Sequence, residues 1–162
     1  MRSYKKAWTF PRIVSMAAIV IGLAAGLPAT GQEARPVSPD LTPKLFDLLR
    51  QEMLSVEQAS KDVLSALIAG DDARVAELAQ QIHDSFILQQ SMTPEDKQDL
   101  MAAVPEKFVA RDRAFHRLTA DLAQAGRDGD RDAQQAQFGR MIESCTSCHA
   151  LYATDRFPML AK

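Results

Sequence analysis

Cysteine is scarce in this chain. Cys145 and Cys148 are the only two, three positions apart, so no disulfide can staple a long loop. No window alternates apolar and polar residues for long enough to make a strand, which excludes a sheet. No apolar run reaches the ~18 residues of a membrane-spanning helix. There is no Ser/His/Asp set, no phosphate-binding glycine loop and no zinc triad, and the chain is not expected to be an enzyme. Acidic residues are missing from residues 1–31, which carry Arg2, Lys5, Lys6 and Arg12. Without those four cations the body keeps fifteen basic against twenty-one acidic residues, a net charge of −6. A body of that sign excludes nucleic acid and anionic membrane as main partners.

What is present is ordinary for a soluble domain: 46% hydrophobic and 25% charged residues over 162 positions. The four cations of the N-terminus precede an apolar run of fifteen residues, 13–27, and then Pro28 and the small residues Ala29, Thr30 and Gly31. Charge, apolar core and small-residue cleavage site are the order of a secretory signal. The expected cut follows Gly31. The mature chain then has no membrane span and works outside the cytoplasm, in the periplasm of a bacterium. Trp8 leaves with the signal, and Tyr152 becomes the only tyrosine.

Residues 32–41 hold two prolines and no apolar period and read as a linker. Thr42-Pro43 is an N-cap followed by proline at the first helical position. Leu45, Leu49, Met53, Val56, Val63 and Leu67 then recur at helical spacing as far as Gly70. Asp71-Asp72 caps a second helix with Val75, Leu78, Ala79, Ile82 and Phe86 on one face. It ends at residues 91–96, where Thr93, Pro94 and Asp96 start a short helix to about Ala103. Pro105 opens a third long helix, with Phe108, Phe115, Leu118, Leu122 and Ala125 on one side and a stop at Gly126. A turn at Asp128-Gly129-Asp130 leads to the fourth. There Phe138, Met141, Ile142, Cys145, Cys148 and Tyr152 point inward as far as about Ala153. Four amphipathic helices with one longer crossover predict an all-α fold, an antiparallel four-helix bundle over residues 42–156. A tail, 157–162, follows.

One motif carries chemistry. Cys145-Thr146-Ser147-Cys148-His149 is the attachment signature of a c-type haem. Two thiols add across the two vinyl groups of the porphyrin, and the adjacent imidazole reaches the iron. The expected cofactor is one covalent haem c per chain, with Cys145 and Cys148 as thioether anchors and His149 as proximal iron ligand. The second ring nitrogen of His149 is expected to be held by a backbone carbonyl or water. A zinc site needs further ligands, and only His83 and His116 remain. A redox dithiol needs a preceding strand.

The motif lies near the C-terminus, inside the last helix. A long helix with Phe115 ends at Ala125-Gly126, a Gly129-Asp130 turn follows, then Phe138-Gly139, then CTSCH with Tyr152 three residues after His149. Over these residues, and more loosely back to Arg50-Gln51, the chain resembles the class II c-type cytochromes, the cytochrome c′ family with its low-spin methionine-ligated members. Three features depart from that pattern: Ala153 where the family often has a basic residue, the crossover at residues 91–104, and the tail from Asp155. The resemblance implies that haem hangs on the fourth helix and that the first helix supplies the distal side. There the distal residue is either a bulky apolar side chain or a methionine on the iron. The register on Arg50-Gln51 puts Leu54 at the crowded position, with Met53 beside it on the inward stripe. Arg50 is a candidate partner for a haem propionate, and Tyr152 a candidate for packing at the haem edge. His83 and His116 read as boundary residues of their helices.

Two functions are compatible with these residues. One is an exported monohaem electron carrier with iron held by His149 and Met53. The other is a five-coordinate haem protein, hindered by Leu54, that binds small gases such as NO or CO. The expected partners are a redox protein and the cytochrome c maturation machinery, and the resemblance implies a homodimer.

Overall fold

The computed structural model describes residues 33–161; the expected signal peptide lies outside them. Among the described residues are six helices and no strand. They are α1 (Pro43–Ala69), α2 (Asp72–Asp84), α3 (Leu88–Ser91), α4 (Pro94–Ala103), α5 (Glu106–Asp128) and α6 (Arg131–Tyr152). The four long ones, α1, α2, α5 and α6, form the expected all-α four-helix bundle, and α3 and α4 form the crossover between its two hairpins. None of the described helices is long and apolar enough to cross a membrane.

Helix starts follow side-chain capping. Thr42, Asp71 and Asp130 each accept a hydrogen bond from the backbone N–H three residues on, which satisfies a donor that has no partner inside the helix. Thr93 and Asp96 close a reciprocal capping box at α4. Two helix ends differ from the periodicity. α5 runs through Gly126 to Asp128 and stops at Gly129, whose φ of 66° is the left-handed conformation that favours glycine. Gly126 serves packing: a Cβ there would sit 2.7 Å from the Ala76 backbone nitrogen, so its absence lets α5 approach α2. α2 stops at Asp84, short of Phe86, because Ser85 takes φ 63°, outside the helical region.

The core is Val56, Ala59, Val63, Val75, Leu78, Ala79, Ile82, Leu122, Ala123 and Met141, with Phe86, Phe115, Leu118 and Phe138 against it. α2 packs closely on α5 and α5 on α6, whereas α1 rests mainly on α2 and meets α6 sparsely. At the far end from the cysteines, Asp72 of α2 accepts from Arg131 at 3.2 Å and from the buried Gln134 at 3.0 Å. These bonds hold the Asp72 carboxyl below the usual carboxylate range, Arg131 contributing most.

Both ends of the domain dock on the C-terminal end of α6. The Arg35 and Val37 amides donate to the Leu151 and Tyr152 carbonyls at 2.7 and 3.0 Å, satisfying acceptors that the helix leaves open. Val37, Val104 and Tyr152 form a second buried cluster with Leu100, Phe108, Val109 and Cys148 beside it. Residues 35–41 and 157–160, linker and tail by composition, are therefore packed against the helix that carries CTSCH. Composition could not reveal the docking of residues 35–37, since that pairing runs through main-chain groups more than a hundred residues away in the chain.

Candidate haem site

The CTSCH segment is fully helical, in the last turns of α6. Three residues on a helix rise ~4.5 Å and turn through ~300°, so the two thiols sit on neighbouring parts of one face. Both cysteines are free and half-buried. Burial pushes the Cys145 thiol up and that of Cys148 up to about 11, so both are neutral thiols at pH 7. A redox-active dithiol needs the opposite, a depressed thiol. A bare metal centre fares no better, because no cluster of three or more His, Cys, Asp or Glu suited to a metal ion occurs among the described residues.

His149 is half-buried, and burial, then the nearby Arg156 guanidinium, holds its imidazole below the usual range. It is thereby biased toward the neutral form that ligates iron. Of the two expected holders of its second ring nitrogen, a backbone carbonyl does not bond the ring among the described residues. The ring instead stacks on Phe157, with centroids 4.5 Å apart and planes 8° from parallel. Tyr152 is buried and packs edge-on against Phe108 at 5.3 Å, inside the second cluster. Ile142, expected inward, is exposed, but it is seven residues from His149 and so on nearly the same side of α6.

On α1, Met53 and Leu54 are 40% and 44% exposed. They differ in direction. Met53 is three residues from buried Val56, ~60° around the helix, on the flank of the buried stripe. Leu54 is nine residues from both Leu45 and Val63, ~180° around, and so faces away from that stripe. Arg156 influences the carboxyl of Glu57, one turn after Met53, as well as His149, though Lys61 is the main influence on Glu57. Arg50 pairs with Asp47 at 3.1 Å, an exposed contact on its own helix.

Sequence reading missed the residue that anchors this part of α1. Glu52 is 3% exposed. Its Oε1 accepts from the Ser85 hydroxyl at 2.9 Å and the Phe86 amide at 3.1 Å; its Oε2 accepts from the Ile87 and Leu88 amides at 2.6 and 3.1 Å. The carboxylate thus fills the donors exposed where α2 breaks off at Ser85, and ties the crossover to the turn of α1 that bears Met53. A glutamate within an apolar period was the available signal. Glu52→Gln turns an acceptor into a donor facing backbone N–H groups and should cost about 1–3 kcal/mol in urea unfolding. A change within ~0.5 kcal/mol, as at an ordinary surface position, would refute the anchoring role.

The two other histidines form a reciprocal staple between α2 and α5. The Nδ1–H of His83 donates to the His116 carbonyl at 2.7 Å, and the Nδ1–H of His116 donates to the His83 carbonyl at 2.8 Å. Only carbonyls face these nitrogens, so both must carry protons.

These features suit a haem group. α1 and α6 leave a sparse contact where two packed helices would otherwise meet, and apolar side chains on both are exposed. Two free thiols and a neutral-leaning imidazole stand on one of them. The family model for cytochrome c′ matches residues 43–153. The chain belongs to the cytochrome c′ family. Searches of curated proteins and of solved structures returned no match. The matched span of this cytochrome c′ runs from the first residue of α1 to just past the end of α6, so it takes in the whole bundle and the CTSCH motif. Membership makes the chain a haem-binding c-type cytochrome.

Proposed function

We propose that this cytochrome is an exported electron carrier with one covalent haem, held by thioethers from Cys145 and Cys148 and ligated by His149 and Met53. The observation that carries the reading is the CTSCH segment on α6, its two cysteines free and half-buried, with α1 meeting α6 only sparsely and Met53 exposed on the flank of the buried stripe of α1. Bound there, the group supplies a one-electron iron couple. The protein's part is to hold and shield it. α6 presents both anchors and the imidazole from one rigid element. Val56, Leu49 and Met53 offer α1 as an apolar wall, and the Glu52 anchor fixes that wall's register. Burial at His149 keeps the imidazole neutral. The basic, acid-free N-terminus supports export to the periplasm, where covalent haem is installed, and the cytochrome c maturation machinery is then an obligate partner. Exposed Phe46, Leu64 and Ile68 along α1 support a homodimer of the kind the family forms.

The test is the periplasmically expressed protein. After acid acetone extraction the haem should stay with the polypeptide, the alkaline pyridine spectrum should be of the c type, and the denatured mass should exceed that of the chain by one haem. Haem that passes into the acetone would overturn the covalent assignment.

A further inference from the structure

The soft degree of freedom in a ligating histidine is rotation of the ring about its Cβ–Cγ bond, a broad, roughly two-fold torsion that the rotamer itself does not fix. Ring orientation is ordinarily set by a hydrogen bond on the nitrogen that does not ligate. Among the described residues no group hydrogen-bonds the His149 ring; the contact it makes there is the stack on Phe157, 4.5 Å between centroids and 8° between planes. An iron ligand approaches an imidazole in the ring plane, along the nitrogen lone pair. A phenyl ring on the face leaves that approach open while resisting ring rotation.

Phe157 is itself held. Its amide donates to the Ala153 carbonyl at 2.9 Å, one turn back, and the Arg156 amide donates to the same oxygen at 3.1 Å. Pro158 follows, which disfavours helical backbone at Phe157; the residue takes φ −122° and ψ 64° and leads into a short 3-10 turn, Pro158–Leu160. Ser38 hydrogen-bonds Asp155, tying the tail to the N-terminal segment. The Arg156 guanidinium lies 5.8 Å from the Phe157 ring centroid, within cation–π range.

From this geometry we propose that Phe157 is a positioning residue for the proximal ligand, clamping the His149 imidazole plane by face-to-face stacking from the C-terminal tail. The inference rests on the haem reading above. It gives the tail a role toward the iron that the matched family span, ending at residue 153, does not contain.

Haem-methyl proton shifts in the oxidised protein report the orientation of the axial imidazole plane, and a purely structural role for Phe157 leaves them alone. The experiment compares holoproteins of wild type, Phe157→Leu and Phe157→Trp. Leucine keeps apolar bulk without a flat face; tryptophan keeps the face. Phe157→Leu should change the order or spread of the haem-methyl resonances, and Phe157→Trp should keep the wild-type pattern. The Leu variant should also lose His149 to added imidazole about 2- to 10-fold more readily, the factor carried by one aromatic pair. An unchanged pattern in Phe157→Leu, or an equal change in Phe157→Trp, overturns the clamp, even where both variants lose stability to urea. A wild-type chain without a c-type pyridine spectrum overturns the haem reading, and the clamp with it, and is told apart by that missing spectrum.

Discussion

Replacing His149 with alanine should abolish the native iron coordination outright, with oxidised and reduced spectra that no longer resemble wild type. The size of the effect follows from what is left. The other imidazoles, His83 and His116, are engaged with each other's backbone carbonyls at 2.7 and 2.8 Å between α2 and α5. Recruiting either would break that ring's own bond in the staple, at a cost of about 0.5–1.5 kcal/mol. Neither belongs to α6. The Cys145 and Cys148 anchors survive the substitution, so the variant should keep covalent haem, which separates loss of the ligand from loss of attachment. Cys148→Ala should do the reverse, leaving at most one thioether and a poorly formed holoprotein. A His149→Ala spectrum identical to wild type would sink the proximal assignment.

The parts of this molecule that local chemistry controls were legible before the structure. Thr42-Pro43, Asp71, Thr93 with Asp96, and Asp130 mark helix starts because capping depends on residues three positions apart. CTSCH is equally local, and its place in the last helix already pointed to the family. Helix ends were less legible. Gly126 looked like a stop, but its missing Cβ answers to Ala76 on another helix, and the left-handed turn falls at Gly129. Glu52 with the amides of residues 86–88, the His83–His116 staple and the Phe157 stack on His149 join groups through space, and no period in the sequence records them. The same holds for residues 35–41, whose role lies in main-chain donors that every sequence has. What remained invisible is therefore the set of through-space contacts around the CTSCH helix: Glu52 on the crossover, the staple between α2 and α5, and Phe157 on the His149 ring.

Met53→Leu is expected to convert a low-spin protein into a high-spin one that takes up CO rapidly. A thioether is a soft ligand suited to ferrous iron, and a methionine–histidine pair raises the potential, as an electron carrier requires. Two side chains of α1 compete for the distal position, and the helix separates them by ~100°. Met53 flanks the buried stripe, ~60° from Val56. Leu54 lies ~180° from Leu45 and Val63, so bringing it to the iron requires α1 to roll about its axis. Rolling α1 would withdraw Glu52 from the Ser85 hydroxyl and the amides of residues 86–88. On the proposed haem reading, the anchor thus favours Met53 over Leu54. Oxidised wild type should show a sulfur-to-iron charge-transfer band and bind CO slowly when reduced, because the thioether must leave first. In Met53→Leu the band should vanish and the iron should open, at a packing cost under ~1.5 kcal/mol, since the two side chains are close in volume. A variant that keeps the wild-type spectrum and CO rate would remove Met53 from the iron. The open, Leu54-hindered site would then favour gas binding over electron transfer.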